Sequence, residues 1–245
     1  MRLRAAARSD VGRCRSANED AFALAPELGL FLVADGMGGH VAGQLASRLA
    51  ARAAVGALGE LAGSALPLTE RLRRCVAAAN REILATAEAK PELEGMGTTL
   101  VALLAGRGRV ALAHVGDSRA YLLRRGRLRQ LTDDHSLVGE LVRRKELHPR
   151  DAREHPQRHV LTRALGARRQ VEADLAELTP QQGDVIVLCS DGLTQHVTDA
   201  EIARLAGGDE ALEPLCEGLI ELANARGGLD NITVTLVRCE DSGSR

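Results

Sequence analysis

A chain of 245 residues with 45% hydrophobic content and a net charge of −1, from 32 basic and 33 acidic residues, can bury a sizeable core. It carries no global field toward nucleic acid or an anionic membrane. Aromatics are 1% with no tryptophan, which removes the stacking platforms of single-strand nucleic-acid binders, and the five cysteines are odd in number and never spaced C-x-x-C, so a reducing cytoplasm is expected rather than a disulfide framework or a zinc knuckle.

No apolar secretion core opens the chain and no run approaches the roughly 20 apolar residues of a membrane helix, so a soluble protein is expected. Strand-like runs lie at 21–25 and 30–34, and a helical pattern with apolar residues every three or four positions covers 42–58. The linker-like "LGELAGSALPLTE" leads to a second helix over 69–88. Strands follow at 98–104 and 110–115, joined by a hairpin at "LLAGRGRVAL", and another at 120–123. A helix over 136–145 opens a charged stretch rich in His and Pro, 134–159, that reads as a long functional excursion. A strand at 184–188, helices at 201–205 and 210–225 and a strand at 232–237 complete a domain spanning 1–240, with 241–245 a frayed tail. Strand clusters separated by helical pairs predict an α+β sandwich of antiparallel sheets covered by helices, not a strict βαβ alternation.

Acidic residues recur where apolar runs end or begin. "VADGMGGH" stops a strand on Asp35, "VIVLCSDGL" on Asp191 and "LAHVGDSR" on Asp117, while "NEDAFAL" places Glu19 and Asp20 before a strand and "GLDNITVTL" does so with Asp230. Each alone is a turn signal. Together they form a set that would repel itself at one sheet edge unless cations held it. All-oxygen ligands without Cys or His favour Mg²⁺ or Mn²⁺ over Zn²⁺. Gly36, lacking a side chain, can turn its carbonyl toward an ion beside Asp35, and Gly38 and Gly39 let the backbone bend into the following helix. Two such ions can bind a water between them and lower its pKa enough to attack a phosphoester. Phosphate recognition then asks for a guanidinium, and "GRCRSANED" offers Arg13 and Arg15.

In order, "SDVGRCRSANEDA", "VADGMGGH", "GMGTTL", "HVGDSRAYLLRRG", "LTDDHS", "HVLTRALG", "SDGL" and "DNITV" resemble the bacterial branch of the metal-dependent type 2C serine/threonine protein phosphatases. The resemblance implies two central antiparallel sheets in a sandwich flanked by helices. It implies hydrolysis of phosphoserine and phosphothreonine in proteins by metal-activated water, opposing a bacterial Ser/Thr kinase, in a cytoplasmic monomer with no nucleic-acid or membrane partner. By the same resemblance Asp35 bridges two Mn²⁺ or Mg²⁺ ions, Asp191 and Asp230 hold the first, and the Gly36 carbonyl serves the second. Glu19 and Asp20 act largely through metal-bound waters, Arg15 binds phosphate, and Asp117 joins Asp191 at a third, weaker metal. The segment 135–159 corresponds to the flap beside the cleft. Met37 stands where animal members carry a proposed acid histidine, so the leaving-group proton comes from another donor. Rival readings are a phosphatase dedicated to one regulatory pathway and a non-catalytic phosphoprotein-binding relative that would have lost its carboxylates.

The remaining features read as structural. Pro156 interrupts any helical zinc face between His155 and His159, with His148 the third of that trio, and His40 reads as a surface residue at a helix start. The arginines at 124, 125, 127 and 129 read as a solvated hairpin, Cys189 as core, and Thr98 and Thr99 as structural.

Overall fold

The computed structural model describes residues 2–39, 41–152 and 154–240, so the expectations about His40 and the tail at 241–245 lie outside the described residues. In chain order the elements are strands β1 (Arg2–Asp10), β2 (Asp20–Ala25) and β3 (Leu30–Met37), then helices α1 (Val41–Glu60) and α2 (Leu68–Ala89). After a 3₁₀ turn at Pro91–Leu93 come β4 (Gly97–Thr98), β5 (Leu100–Gly106), β6 (Arg109–Val115), β7 (Arg119–Arg124) and β8 (Arg127–Gln130). Then follow α3 (Leu137–Arg143), α4 (Pro149–Ala152), β9 (Asp174–Leu178), β10 (Val185–Cys189), α5 (Asp191–Thr194), α6 (Asp199–Ala206), α7 (Leu212–Ala225) and β11 (Ile232–Glu240).

The strands make two antiparallel sheets, one ordered β1-β11-β10-β7-β8 and the other β2-β3-β5-β6-β9, with β4 beside β3. Alternation along each strand explains the layers. In β3, Leu30, Leu32 and Ala34 pack under α1 and α2, while Phe31 and Val33 meet Leu122, Ile186 and Leu188 of the facing sheet. In β10, Val185, Val187 and Cys189 turn instead to α6 and α7. Both faces are therefore covered, and these strands read as continuous apolar runs. Helix α2 buries Leu72, Cys75, Val76, Ala79 and Ile83, the three-and-four spacing of one apolar stripe.

Three strands have no counterpart in the sequence reading: β1, β8 and β9. All three lie at sheet edges, where "RLRAAARSD", "RLRQ" and "DLAEL" bury few side chains and carry charges that discourage further pairing. The expected strand over 98–104 breaks at Thr99 into β4 and β5, and the helix over 136–145 is shorter, Leu137–Arg143, with Ser136 Oγ accepting the Gly139 N–H at 3.1 Å as its cap.

Antiparallel pairing places the end of one strand beside the start of its neighbour. Asp20 opens β2 directly opposite Asp35 near the end of β3. Asp191 follows β10, Asp117 precedes β7, and Asp230 precedes β11; in the ladder Cys189 pairs with both Arg119 and Val234. The acidic positions therefore gather at one end of the sandwich.

Candidate metal centre and cleft

Strand alternation puts Asp20 and Asp35 on the side of their sheet that faces the other sheet. The backbone of Asp35 is fixed from three directions: its N–H donates to Thr99 Oγ1 (3.0 Å), and its carbonyl accepts from Thr98 Oγ1 (2.8 Å) and the Thr99 N–H (2.9 Å). These two threonines, read as structural, aim the central carboxylate. Burial pushes the Asp35 pKa well above the carboxylate range, and the charges of Asp20, Asp191, Asp117 and Asp230 push it further. Five acidic groups from distant parts of the chain thus lie within electrostatic reach of one another.

Asp20 is 7% exposed, and its Oδ2 accepts from Ser190 Oγ and Thr233 Oγ1, both at 2.7 Å, while Oδ1 is buried with no partner. Burial raises its pKa to about 7 against the pull of the two hydroxyls. Burial also raises Asp191, with Asp230 adding to it, although Gln195 Nε2 donates to Asp191 Oδ2 at 2.6 Å. Asp117 is raised well above its ordinary value by burial and then by Asp191 and Asp134. Asp230 accepts from Arg15 Nη2 at 2.8 Å, and this bond is the largest reason the Arg15 pKa is raised.

Glu19 is held by its backbone. Its N–H donates to Asn231 Oδ1 (2.8 Å), and its carbonyl accepts from the Gly36 N–H (3.2 Å) and Ser47 Oγ (2.6 Å). Asn231 Nδ2 also donates to the Val11 and Ala17 carbonyls at 2.9 Å, so one side chain pins the Arg13–Glu19 loop beside the start of β11. Gly36 is required by close approach: a Cβ there would lie 2.1 Å from the Gly43 carbonyl oxygen. Gly38 (φ +119°) and Gly39 (φ +83°) take the left-handed conformations that turn β3 toward α1.

Among the described residues, no three Asp, Glu, His or Cys side chains are set tightly enough to enclose an ion by themselves. Arg15, Gln195, Ser190 and Thr233 occupy some of the carboxylate oxygens. The donor chemistry nevertheless fits hard divalent ions: oxygen ligands in excess of positive charge, with a buried Asp20 Oδ1 lacking any partner.

Beside the carboxylates opens a cleft of about 740 Å³ between segment 130–159 and the α5 region, lined by Asp117, Asp191, Arg119, Asp134, Arg143 and His159 among others. His159 Nδ1 is 4.0 Å from Asp191 Oδ2. His148 and His155 accept instead from the N–H groups of Arg150 and Gln157, at 3.2 Å each. Arg13 anchors its loop through its backbone N–H to the Gly228 carbonyl (2.7 Å), whereas the Arg15 guanidinium reaches the carboxylates. The supporting residues Ser190, Thr233, Asn231 and Gln195 were not singled out from the sequence. Their only signal there is nearness in sequence, within about four positions of Asp191 or Asp230.

Comparison with known proteins identifies the family. The family model for protein phosphatase 2C matches residues 13–233. The serine/threonine phosphatase stp of Listeria monocytogenes is 43% identical over 235 residues, covering 94% of this chain and 93% of that relative. The serine/threonine protein phosphatase PstP of Mycobacterium tuberculosis is 43% identical over 239 residues, covering 98% of this chain but 45% of its own length. A crystal structure of the M. tuberculosis phosphatase PstP/Ppp superposes with a TM-score of 0.89 at 42% identity, covering 98% of this chain and 100% of that one. The catalytic domain of PstP in complex with two manganese ions gives 0.86 at 41%, covering 98% and 99%. The chain belongs to the protein phosphatase 2C family.

Proposed function

We propose that this chain hydrolyses phosphoserine and phosphothreonine in proteins with two Mn²⁺ or Mg²⁺ ions, and that a third, weaker ion binds at Asp117 and Asp191. The observation that carries the reading is the gathering of Asp20, Asp35, Asp117, Asp191 and Asp230 at one end of the sandwich by antiparallel register. A PstP catalytic domain 41% identical to this chain, solved with two manganese ions, supports the choice of metal. Asp35 would bridge the two ions, Asp191 and Asp230 would hold the first and the Gly36 carbonyl the second, with Glu19 and Asp20 organising water around them. When bound, the ions supply Lewis acidity, which brings a water toward neutral pKa and offsets charge on the phosphoryl oxygens.

The two side chains that precede Asp191 offer no free nucleophile, which favours water. Burial pushes the Cys189 thiol up to about 12, and Ser190 Oγ is committed to Asp20 and to the Thr233 N–H. One P–O bond forms to the water oxygen as the ester P–O bond breaks, and the proton lost by the water is balanced by one gained at the departing seryl or threonyl oxygen, so that alcohol and phosphate are released with no phosphoenzyme. Arg15, its side chain 49% exposed at the rim, engages phosphate through guanidinium N–H groups beyond the one bonded to Asp230. Asp230 holds that fork beside the ions it would help to bind.

This reading makes a Ser/Thr kinase the physiological counterpart and a cytoplasmic monomer the working unit. Among the described residues, no helix is long and apolar enough to cross a membrane. Purified protein with Mn²⁺ should release phosphate from a phosphothreonine peptide and from p-nitrophenyl phosphate, and EDTA should stop it. No release from either substrate would sink the proposal.

A further inference from the structure

His135 is 3% exposed at the foot of segment 135–159 and is bound at four points. Its N–H donates to the Gly116 carbonyl (2.7 Å), and its own carbonyl accepts the Thr162 N–H (2.9 Å) where the segment returns. Its Nδ1 accepts the Gly116 N–H at 3.1 Å, and its Nε2 is 3.1 Å from Asp174 Oδ2. An Nδ1 that accepts carries no proton, so the ring proton is on Nε2 and is donated to Asp174. Burial, the largest influence, draws the His135 pKa below its ordinary value. One face lies against His114, with ring centroids 4.6 Å apart.

Gly116 is therefore gripped through both its N–H and its C=O, and it is the residue before Asp117. It takes φ +106°, and a Cβ there would lie 2.5 Å from Thr99 Cγ2, so the turn is seated against Thr99. From there Ser118 Oγ and Thr99 Oγ1 are 2.6 Å apart, and Thr99 Oγ1 accepts the Asp35 N–H. A continuous path runs from the foot of the segment, through the Gly116–Ser118 turn, to the central carboxylate. Without the imidazole clamp, a glycine turn of this kind regains backbone freedom, and the carboxylate beside it loses its fixed direction.

We propose that His135 is a positioning residue: by clamping the Gly116–Asp117 turn it aims the Asp117 carboxylate at the weaker cation site and couples that site to the seating of segment 135–159. This rests on Asp117 being a ligand of that site.

The test is calorimetric titration of metal-free protein with Mn²⁺, for wild type, Asp117→Ala, His135→Asn and His135→Gln, with thermal melts alongside. Asparagine can place Oδ1 where Nδ1 accepts from Gly116, whereas glutamine reaches Asp174 but lacks that acceptor. His135→Gln should weaken the weaker Mn²⁺ equivalent about tenfold, the usual scale for a group acting through a ligand, and leave the tighter equivalents within about twofold. His135→Asn should restore weak binding to within about threefold of wild type. A merely structural role would make the two variants fail together, in the melt as much as in the titration. Asp174→Ala, at a position whose side chain is 53% exposed, loosens the same ring without a buried substitution and should weaken the same equivalent. If Asp117→Ala abolishes weak binding while His135→Gln and Asp174→Ala leave it intact, the positioning role is overturned and the ligand assignment stands. If Asp117→Ala changes nothing, the ligand assignment falls, and the positioning role with it.

Discussion

Asp35 carries charge repulsion from four other carboxylates, so its two roles can be separated by measurement. Asp35→Asn should lower the phosphatase rate by more than about 100-fold, beyond the usual cost of losing a group that only supports a ligand. The same substitution removes repulsion, and in EDTA it should raise the melting temperature by ~2–4 °C, the effect of about 1 kcal/mol in a chain of this size. An unchanged rate would contradict the assignment. Thr233 is the subtler case. Its Oγ1 lies 2.7 Å from both Asp20 Oδ2 and Ser9 Oγ, so Thr233→Val frees one side of the Asp20 carboxylate. A loss of Mn²⁺ affinity of about tenfold is expected, with Thr233→Ser near wild type. The roles of Thr233 and Ser190 depend on hydroxyl directions that no spacing in the sequence encodes, since their partner Asp20 is 213 and 170 positions away.

Between elements, the contact of β3 with α1 separates stability from chemistry. A Cβ on Gly36 would meet the backbone oxygens of Gly43 and Glu19 at 2.1 and 2.6 Å, whereas one on Gly43 would chiefly meet the end of the Glu19 side chain, Oε2 at 1.8 Å. Gly36→Ala should therefore lower the melting temperature strongly, because backbone cannot step aside cheaply. Gly43→Ala should displace the Glu19 carboxylate, costing Mn²⁺ affinity with a much smaller loss of stability; paired melts and titrations distinguish the two. Helix α6, read over 201–205, begins earlier with a cap: Thr198 Oγ1 and N–H both contact Glu201 Oε2, at 2.7 and 3.0 Å, and Thr198→Ala should cost about 1 kcal/mol in a denaturant titration. Of the edge strands β2 was legible, at 21–25, and β1, β8 and β9 were not. β1, β8 and β9 bury few side chains because one side of their ladder has no neighbour, so their sequences need little apolar content.

For the whole molecule, stability should follow both cation and pH. Ions that bind the folded acidic end and not the unfolded chain stabilise by about 2.7 kcal/mol at one hundred times their dissociation constant. Mn²⁺ should therefore raise the melting temperature, and EDTA should reverse it. Acid has two opposed effects: the carboxylates with raised pKa lose their mutual repulsion as they protonate, whereas His114, which is 2% exposed with neither ring nitrogen partnered and a pKa lowered by burial to about 4, is destabilising once it must take a proton. The unfolded chain takes up this proton near pH 6.5 and the folded one only near 4, so the stabilising contribution is complete above about pH 6.5 and is lost as pH falls through 4. The loss amounts to roughly 3 kcal/mol. His114→Leu should flatten the fall in melting temperature across that window.

By itself, the amino-acid order determined the central buried strands, the helical pairs between them and the identity of the carboxylates, because apolar periodicity and an acid at the end of an apolar run are local patterns. Tertiary structure alone decided that Asp20 faces Thr233 across the two sheets, that Asn231 pins the loop before Glu19, and that His135 grips the turn before Asp117. Those partners are chosen by antiparallel register and by which layer a side chain enters. A hydroxyl or an imidazole gains its meaning from what lies within about 3 Å of it.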